Sequence, residues 1–385
     1  MKFTAKRIEE FMKKRMTNLE LLRCIAMMMV VVLHYLGKGN ILSDLTGNNM
    51  GSMEAVAWIL EALCIVAVNT YMLISGYFLC TSPFKVSRLV KLYLQLWFYS
   101  VGVSCLGIAT GVYPLENVEV HDLLTFVFPV SMGHYWFITA YIFMYLFLPF
   151  ISGAVEKMTK KQMQLALGAL LFFFCILKSI LPVRLEMDGQ GYDCIWYLCV
   201  FLTAAYIRKF GSAFISNMKK SICLYSITCL VILAMTMGLH LVYVHTDSFG
   251  RIMKIGLEYN HILPYLAAMG LFGIFLNMRV PEKFGRVVNK IAPYTLGVYL
   301  LHENLTIRYA WQNWLGADRI STVGGLLVGT LTAIVVVFTL GILLDIVRAG
   351  IMSGLHKLFG RLEIYRKLVL KIEAVDRIFL LEERK

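Results

Sequence analysis

Two residues of the first long apolar run could do chemistry together. Arg23 and His34 stand eleven positions apart. Eleven steps of about 100° return to within roughly 20° of the start, so on a helix both side chains share one stripe, roughly 16 Å apart along the axis. A guanidinium presents a planar fork of donors suited to phosphate, and imidazole is the usual general base near neutral pH. Each residue has a plainer role too. Arg23 can snorkel to an interface, and His34 can be a hydrogen-bonded structural histidine. Their common stripe favours the chemical reading, because ionisable groups inside lipid are costly and mark function.

Further candidates lie along the chain. His302 stands at a depth similar to His34 in a later apolar run and is followed by Glu303 and Asn304. Ser75-Gly76-Tyr77 closes the second run at about the depth of Arg23. Just beyond come Lys85, Arg88 and Lys91, either ordinary topological charge or a phosphate-binding patch. His134-Tyr135-Trp136-Phe137 opens the fourth run, where an interfacial aromatic belt is the simpler account of Trp136. Lys178 is expected to snorkel outward, and Asp345 to pair with Arg348 at spacing i, i+3.

The elements that must position these residues are membrane helices. Of 385 residues, 59% are hydrophobic and only 16% charged, against about a quarter charged in soluble proteins. A run of about 18 to 20 apolar residues matches the hydrocarbon thickness when helical. Lipid offers the backbone no partners, so such runs are helices. The fold class read here is all-α, a polytopic integral membrane protein. About ten transmembrane helices are expected, over 19–36, 56–79, 89–110, 135–155, 163–181, 192–207, 221–244, 257–276, 291–309 and 322–346.

The net charge of +13 would suggest nucleic acid in a soluble chain. Here the basic residues sit in short loops, the pattern that sets topology, so no nucleic-acid role is expected. One set of loops holds Lys85, Arg88 and Lys91; Lys157, Lys160 and Lys161; Arg208, Lys209, Lys219 and Lys220; and Arg279, Lys283, Arg286 and Lys290. The opposite loops hold only Lys38, Arg184, Arg251, Lys254, Arg308 and Arg319. Both termini are therefore expected in the cytoplasm. The domains expected are a basic cytoplasmic arm over 1–16, a membrane domain over 17–348 and a basic tail over 349–385. In the tail Leu355, Leu358, Leu362, Tyr365 and Val369 recur at helical spacing, which makes it an amphipathic helix on the membrane surface or against the bundle. The nine cysteines are scattered, with neither a disulfide framework nor metal-ligand spacing, so no metal is expected.

Taken in order, Arg23 and His34, Ser75-Gly76-Tyr77, the Lys85/Arg88/Lys91 loop, Trp136-Phe137 with Tyr141, and Tyr299-Leu300-Leu301-His302 resemble the motifs of the acyltransferase type 3 family. The resemblance covers roughly residues 17–348. It implies a ten-helix membrane enzyme that moves an acyl group, usually acetyl, from cytoplasmic acyl-CoA to a glycan hydroxyl. Acceptors in the family are surface polysaccharides, lipid-linked glycans or antibiotics. It also implies the standalone form, similar to the O-acetyltransferases of enterobacterial common antigen, in a bacterial cytoplasmic membrane. On this footing His34 is the expected base, with His302 or Glu303 orienting it or the sugar. Arg23, Lys85, Arg88 and Lys91 are expected to hold the phosphates of acetyl-CoA, with Ser75 and Tyr77 beside them. The expected partners are the acyl-CoA, the glycan and the bilayer. The rival is a transporter or flippase for a lipid-linked glycan, since many helices with intramembrane charges fit that as well.

Overall fold

The computed structural model describes residues 16–42, 45, 50–181 and 188–381; the basic arm over 1–15 and Arg184 lie outside them. Every regular element among the described residues is helical. The main helices are α1 (Thr17–Lys38), α2 (Ser52–Leu79), α3 (Val86–Ala109), α4 (Val120–Val127), α5 (Trp136–Leu146), α6 (Leu148–Lys157) and α7 (Lys160–Ile180). They continue as α8 (Cys194–Phe210), α9 (Met218–Thr246), α10 (Ile262–Leu276), α11 (Glu282–Ile291), α12 (Thr295–His302), α13 (Val323–Phe359) and α14 (Glu363–Leu381).

Among the described residues seven helices are long and apolar enough to cross a membrane: α1, α2, α3, α7, α9, α10 with the turns before it, and α13. The chain is a multi-pass membrane protein. α5 and α6 make one further span if taken together, bent by 58°. Pro149 in the first turn of α6 explains the break, because its ring and missing N–H interrupt the helical ladder. α8 covers the expected sixth span with 17 residues. The expected ninth span, 291–309, is not one helix. α12 has eight residues and stops at His302. Beyond it the Asn304 side chain accepts from the Thr306 N–H at 3.0 Å and donates to the Tyr99 carbonyl at 3.0 Å, which competes with a further helical turn.

Two layers follow from burial. In the spans Thr17–Lys38, Ser52–Leu79 and Ile255–Leu276, 72%, 78% and 72% of the most apolar 18-residue stretch is buried, so they form the inside, whereas in α7 and α9 only 17% and 22% is, and these lie outermost. Outward faces carry side chains such as Leu165, Leu230 and Val328, exposed by 76%, 65% and 67%. A surface so continuously apolar suits lipid and not water. Helix α1 is the axis of the molecule, packed on α2, α10, α11, α12 and α13. Its first turn is tied down by Asn18, whose amide donates to the Phe275 carbonyl at 2.8 Å, and by Thr17, whose hydroxyl accepts from Asn289 at 3.0 Å. Against α12, the long α13 comes so close at Gly341 that any Cβ there would collide with the Val298 backbone.

Charges inside the bundle are paired. Lys178 does not snorkel. It is 4% exposed, and its ammonium meets Asp188 at 2.6 Å, Glu258 at 2.6 Å and Asn260 at 2.8 Å. Three protein acceptors take the place of water for its three donors. Asp345 and Arg348 pair at 2.6 Å as expected, and Gln95 and Tyr99 also donate to that carboxylate. The tail helix α14 lies against the bundle. Its buried Asp376 accepts from the Ser87 N–H at 3.2 Å, and Phe379 packs on Phe84 with ring centroids 4.8 Å apart.

Candidate active site

The axial helix α1 brings His34 to the end of α12. The His34 Nδ1 lies 2.8 Å from His302 Nε2 and 3.1 Å from a Glu303 carboxylate oxygen. That same oxygen receives the ammonium of Lys38, one turn further along α1. His302 and Glu303 are both buried, at 1% and 3% exposed. The three residues singled out as catalytic candidates therefore meet, although 268 positions separate the two histidines. Lys38 sits four residues after His34, so the helical repeat already carried its signal. Counted as a loop charge, it was missed.

Hydrogen-bond chemistry fixes the protons. The His302 Nδ1 is 2.6 Å from the Val298 carbonyl, which can only accept, so this nitrogen carries the hydrogen. His302 Nε2 is then the acceptor, and His34 Nδ1–H must donate to it. The second nitrogen of His34, Nε2, is left with the lone pair. This is the tautomer a general base needs, held by an orienting partner as in catalytic dyads generally.

The segment after α12 is fastened from several sides. α3 widens to π-helical winding over Phe98–Val103, which loosens its carbonyls from the ordinary ladder. The Tyr99 carbonyl, inside that widened stretch, is the one that receives Asn304. His134 is held by Ser100 Oγ at its Nδ1 (2.9 Å) and by the Leu305 N–H at its Nε2 (2.9 Å). Accepting a backbone N–H at Nε2 makes it neutral, a structural histidine. The Arg308 guanidinium reaches the carbonyls of His134 and Glu303 at 2.8 and 2.9 Å. These clamps set where Glu303 stands.

A narrow crevice opens beside His34. One side is α1 itself, with Met27, Val30 and His34 at spacings of three and four. Arg23 precedes Met27 by four residues, so it continues the same stripe. Other walls are Tyr71 of α2, Trp136 and Phe137 at the start of α5, Tyr259, and Tyr299 of α12. On α1 the crevice thus runs from His34 back to Met27, one turn short of Arg23, and its lining is mostly apolar.

The remaining candidates lie towards the other end of α1. Arg23 pairs with Glu20 at 2.7 Å and keeps about a quarter of its side chain exposed. Arg88 and Lys91 are exposed and Lys85 half-buried. Tyr145 of α5 receives the Lys85 N–H at 3.0 Å and fixes the loop. Ser75 is half-buried. Gly76 serves packing, since a Cβ there would lie 2.9 Å from Phe201 Cα. Tyr77 lies beneath the Arg208 guanidinium, 4.7 Å from ring centre, and against Phe272. Tyr77 thus presents another cation at this end, one the sequence did not single out.

The atoms of His34, His302 and Glu303 that face one another all lie within 4.8 Å, close enough to hold an ion. Lys38 already supplies a positive charge to the Glu303 oxygen, and the two rings are already bonded to each other. Compared with known families, residues 16–344 match the family model described as an acyltransferase domain, acyltransferase type 3. No curated protein and no solved structure matches the chain.

Proposed function

Because the chain belongs to the acyltransferase type 3 family, whose model spans nearly all of it, we propose that it moves an acyl group, in the simplest case acetyl, from acyl-CoA to a hydroxyl of a glycan such as a surface polysaccharide or lipid-linked sugar. The observation that carries this reading is the His34–His302 bond. It leaves an imidazole lone pair at an apolar crevice that follows α1 back towards Arg23. In this reading the chain makes ten passes of a bacterial cytoplasmic membrane with both termini in the cytoplasm, as loop charge argues. Arg23, Arg88, Lys85 and Lys91 bind the phosphates of CoA through charge-assisted hydrogen bonds. The pantetheine arm, roughly 15–20 Å long, spans the rise of about 1.5 Å per residue over the eleven residues to His34. His34 Nε2 takes the proton of the acceptor hydroxyl as its oxygen attacks the thioester. The imidazolium formed is stabilised through His302 and Glu303, and no metal is needed in the step.

The test is transfer of labelled acetyl from acetyl-CoA by purified protein in vesicles, with lipid-linked glycan as acceptor. Wild type transfers label, and a chelator does not stop it. His34→Gln keeps hydrogen-bonding capacity but cannot accept a proton at neutral pH. It lowers turnover by about 10² or more while CoA affinity stays within about twofold. Glycan crossing the bilayer with acetyl-CoA unconsumed would instead establish the flippase.

A further inference from the structure

A hydroxyl attacking a thioester builds a tetrahedral intermediate whose carbonyl oxygen becomes an anion, and acyl-transfer sites place hydrogen-bond donors where that charge develops. His34 is occupied with the proton, and the phosphate-binding end lies roughly 16 Å away along α1. The donor must come from another wall of the crevice.

Tyr299 meets the requirement. It stands one turn before His302 on α12, is 4% exposed and lines the same crevice as His34. Its ring is fixed edge-on against Phe137 at 5.8 Å and against His302 at 6.1 Å. Yet its buried hydroxyl donates to no group. Such a group is costly to bury unmade and persists where something else is meant to receive it. Beside it lies the backbone amide of Phe137, in the first turn of the eleven-residue helix α5, whose N-terminus has no side-chain cap. That end carries the positive pole of the helix and unfilled N–H groups. Trp136 and Phe137 both line the crevice, so the helix end and the phenol converge on one space.

We propose that Tyr299 is a catalytic residue, the oxyanion donor of the acyl transfer, supported by the N-terminus of α5. The assignment rests on the acyltransferase reading above. As the acceptor oxygen bonds to the carbonyl carbon, its proton passes to His34 Nε2 and the carbonyl π electrons move onto oxygen, where the Tyr299 O–H holds them. The C=O then reforms, the C–S bond breaks, and the departing thiolate takes the proton back from His34. Ester and CoA thiol are the products. Tyr299 keeps its own proton throughout.

Tyr299→Phe deletes the hydroxyl and nothing else. Loss of an oxyanion donor typically costs about 10²–10³ in turnover, so kcat for acetyl transfer falls by that factor while CoA affinity stays within about twofold. Because the deleted hydroxyl donates to nothing in the protein and meets only the Phe137 N–H, the melting temperature falls little, far less than loss of a fully bonded structural tyrosine would cost. Tyr197→Phe is the control. It also removes a buried, unbonded hydroxyl, but from a residue that is not among the crevice walls, and its turnover stays at wild type. Tyr299→Phe turnover within threefold of wild type overturns the proposal, as does an equal loss in Tyr197→Phe or a loss tracking CoA binding. Wild type and His34→Gln in the same assay report on acyl transfer itself. A wild type that transfers normally beside an unimpaired Tyr299→Phe removes only the oxyanion role.

Discussion

At the scale of single residues, Glu303 bears the most. Its buried carboxylate neutralises Lys38 and orients His34 through the same oxygen. Glu303→Gln keeps the shape and removes the charge. Lys38 is then left inside with a weaker acceptor, and about 1–3 kcal/mol of stability is lost. Thermal unfolding in detergent measures this loss, and adding Lys38→Met recovers much of it, since an absent pair costs less than a broken one. Turnover recovers in neither, because the imidazolium of His34 has lost its counter-charge. A double variant as unstable as the sum of the singles would show that the two residues do not act as a pair. The periodicity of α1 exposed the Arg23–His34 stripe, because both residues lie on one helix with a known repeat. It could not show that His302 fills the second coordination place of His34. That depends on how two distant helices pack.

Among whole elements, the tail is the one whose role the sequence left widest. Its helical spacing was readable, but amphipathicity alone does not say whether lipid or protein receives the apolar face. Phe379 on Phe84 and Asp376 on the first turn of α3 answer that. Asp376 sits beside the loop of Lys85, Arg88 and Lys91, where it closes the exposed N–H groups of a helix that has no cap of its own. Burial alone would raise the Asp376 carboxyl, but hydrogen bonds from Ser87 and the Val86 N–H, with the charge of Lys85, hold it below the usual carboxylate range. A lowered acid favours the docked state wherever the carboxylate is ionised. That contribution is complete above the undocked value of about 4 and is lost as pH falls through the lower docked value. Hydrogen-exchange protection of α14, taken relative to the intrinsic rate at each pH, should therefore fall on acidification below about pH 4, and Asp376→Asn should show the lower protection already at neutral pH. Exchange that is equal in both proteins at every pH would remove Asp376 as the latch. The ninth apolar run was legible as apolar but not as short. Its end at His302 is decided by Asn304 and its partners on α3, which no local pattern announces.

For the molecule as a whole, composition and loop charge were enough to give an all-helical membrane protein, and the order of motifs was enough to give its family. The inner and outer layers were not readable, because α9 and α2 are comparably apolar and only packing shows which one faces lipid. One feature of that packing also governs how the protein is made. His34 and Lys38 enter the membrane at the start of synthesis, and their partners follow 268 and 265 residues later. At about 5–20 residues per second the young helix waits roughly 15–50 s with a histidine and an ammonium uncompensated at the margin of the lipid. During that interval the chain carries the signature that membrane quality control removes, an unpaired polar group among apolar helices. A chain ended after α10 should insert but be cleared faster in pulse-chase than the full-length protein, and replacing both His34 and Lys38 by Leu should slow its clearance. Equal lifetimes for the two truncated chains would mean the orphaned pair goes unnoticed. Faster clearance of the unmodified truncated chain would make the bonds around His34 a timer as well, released only once His302 and Glu303 have arrived.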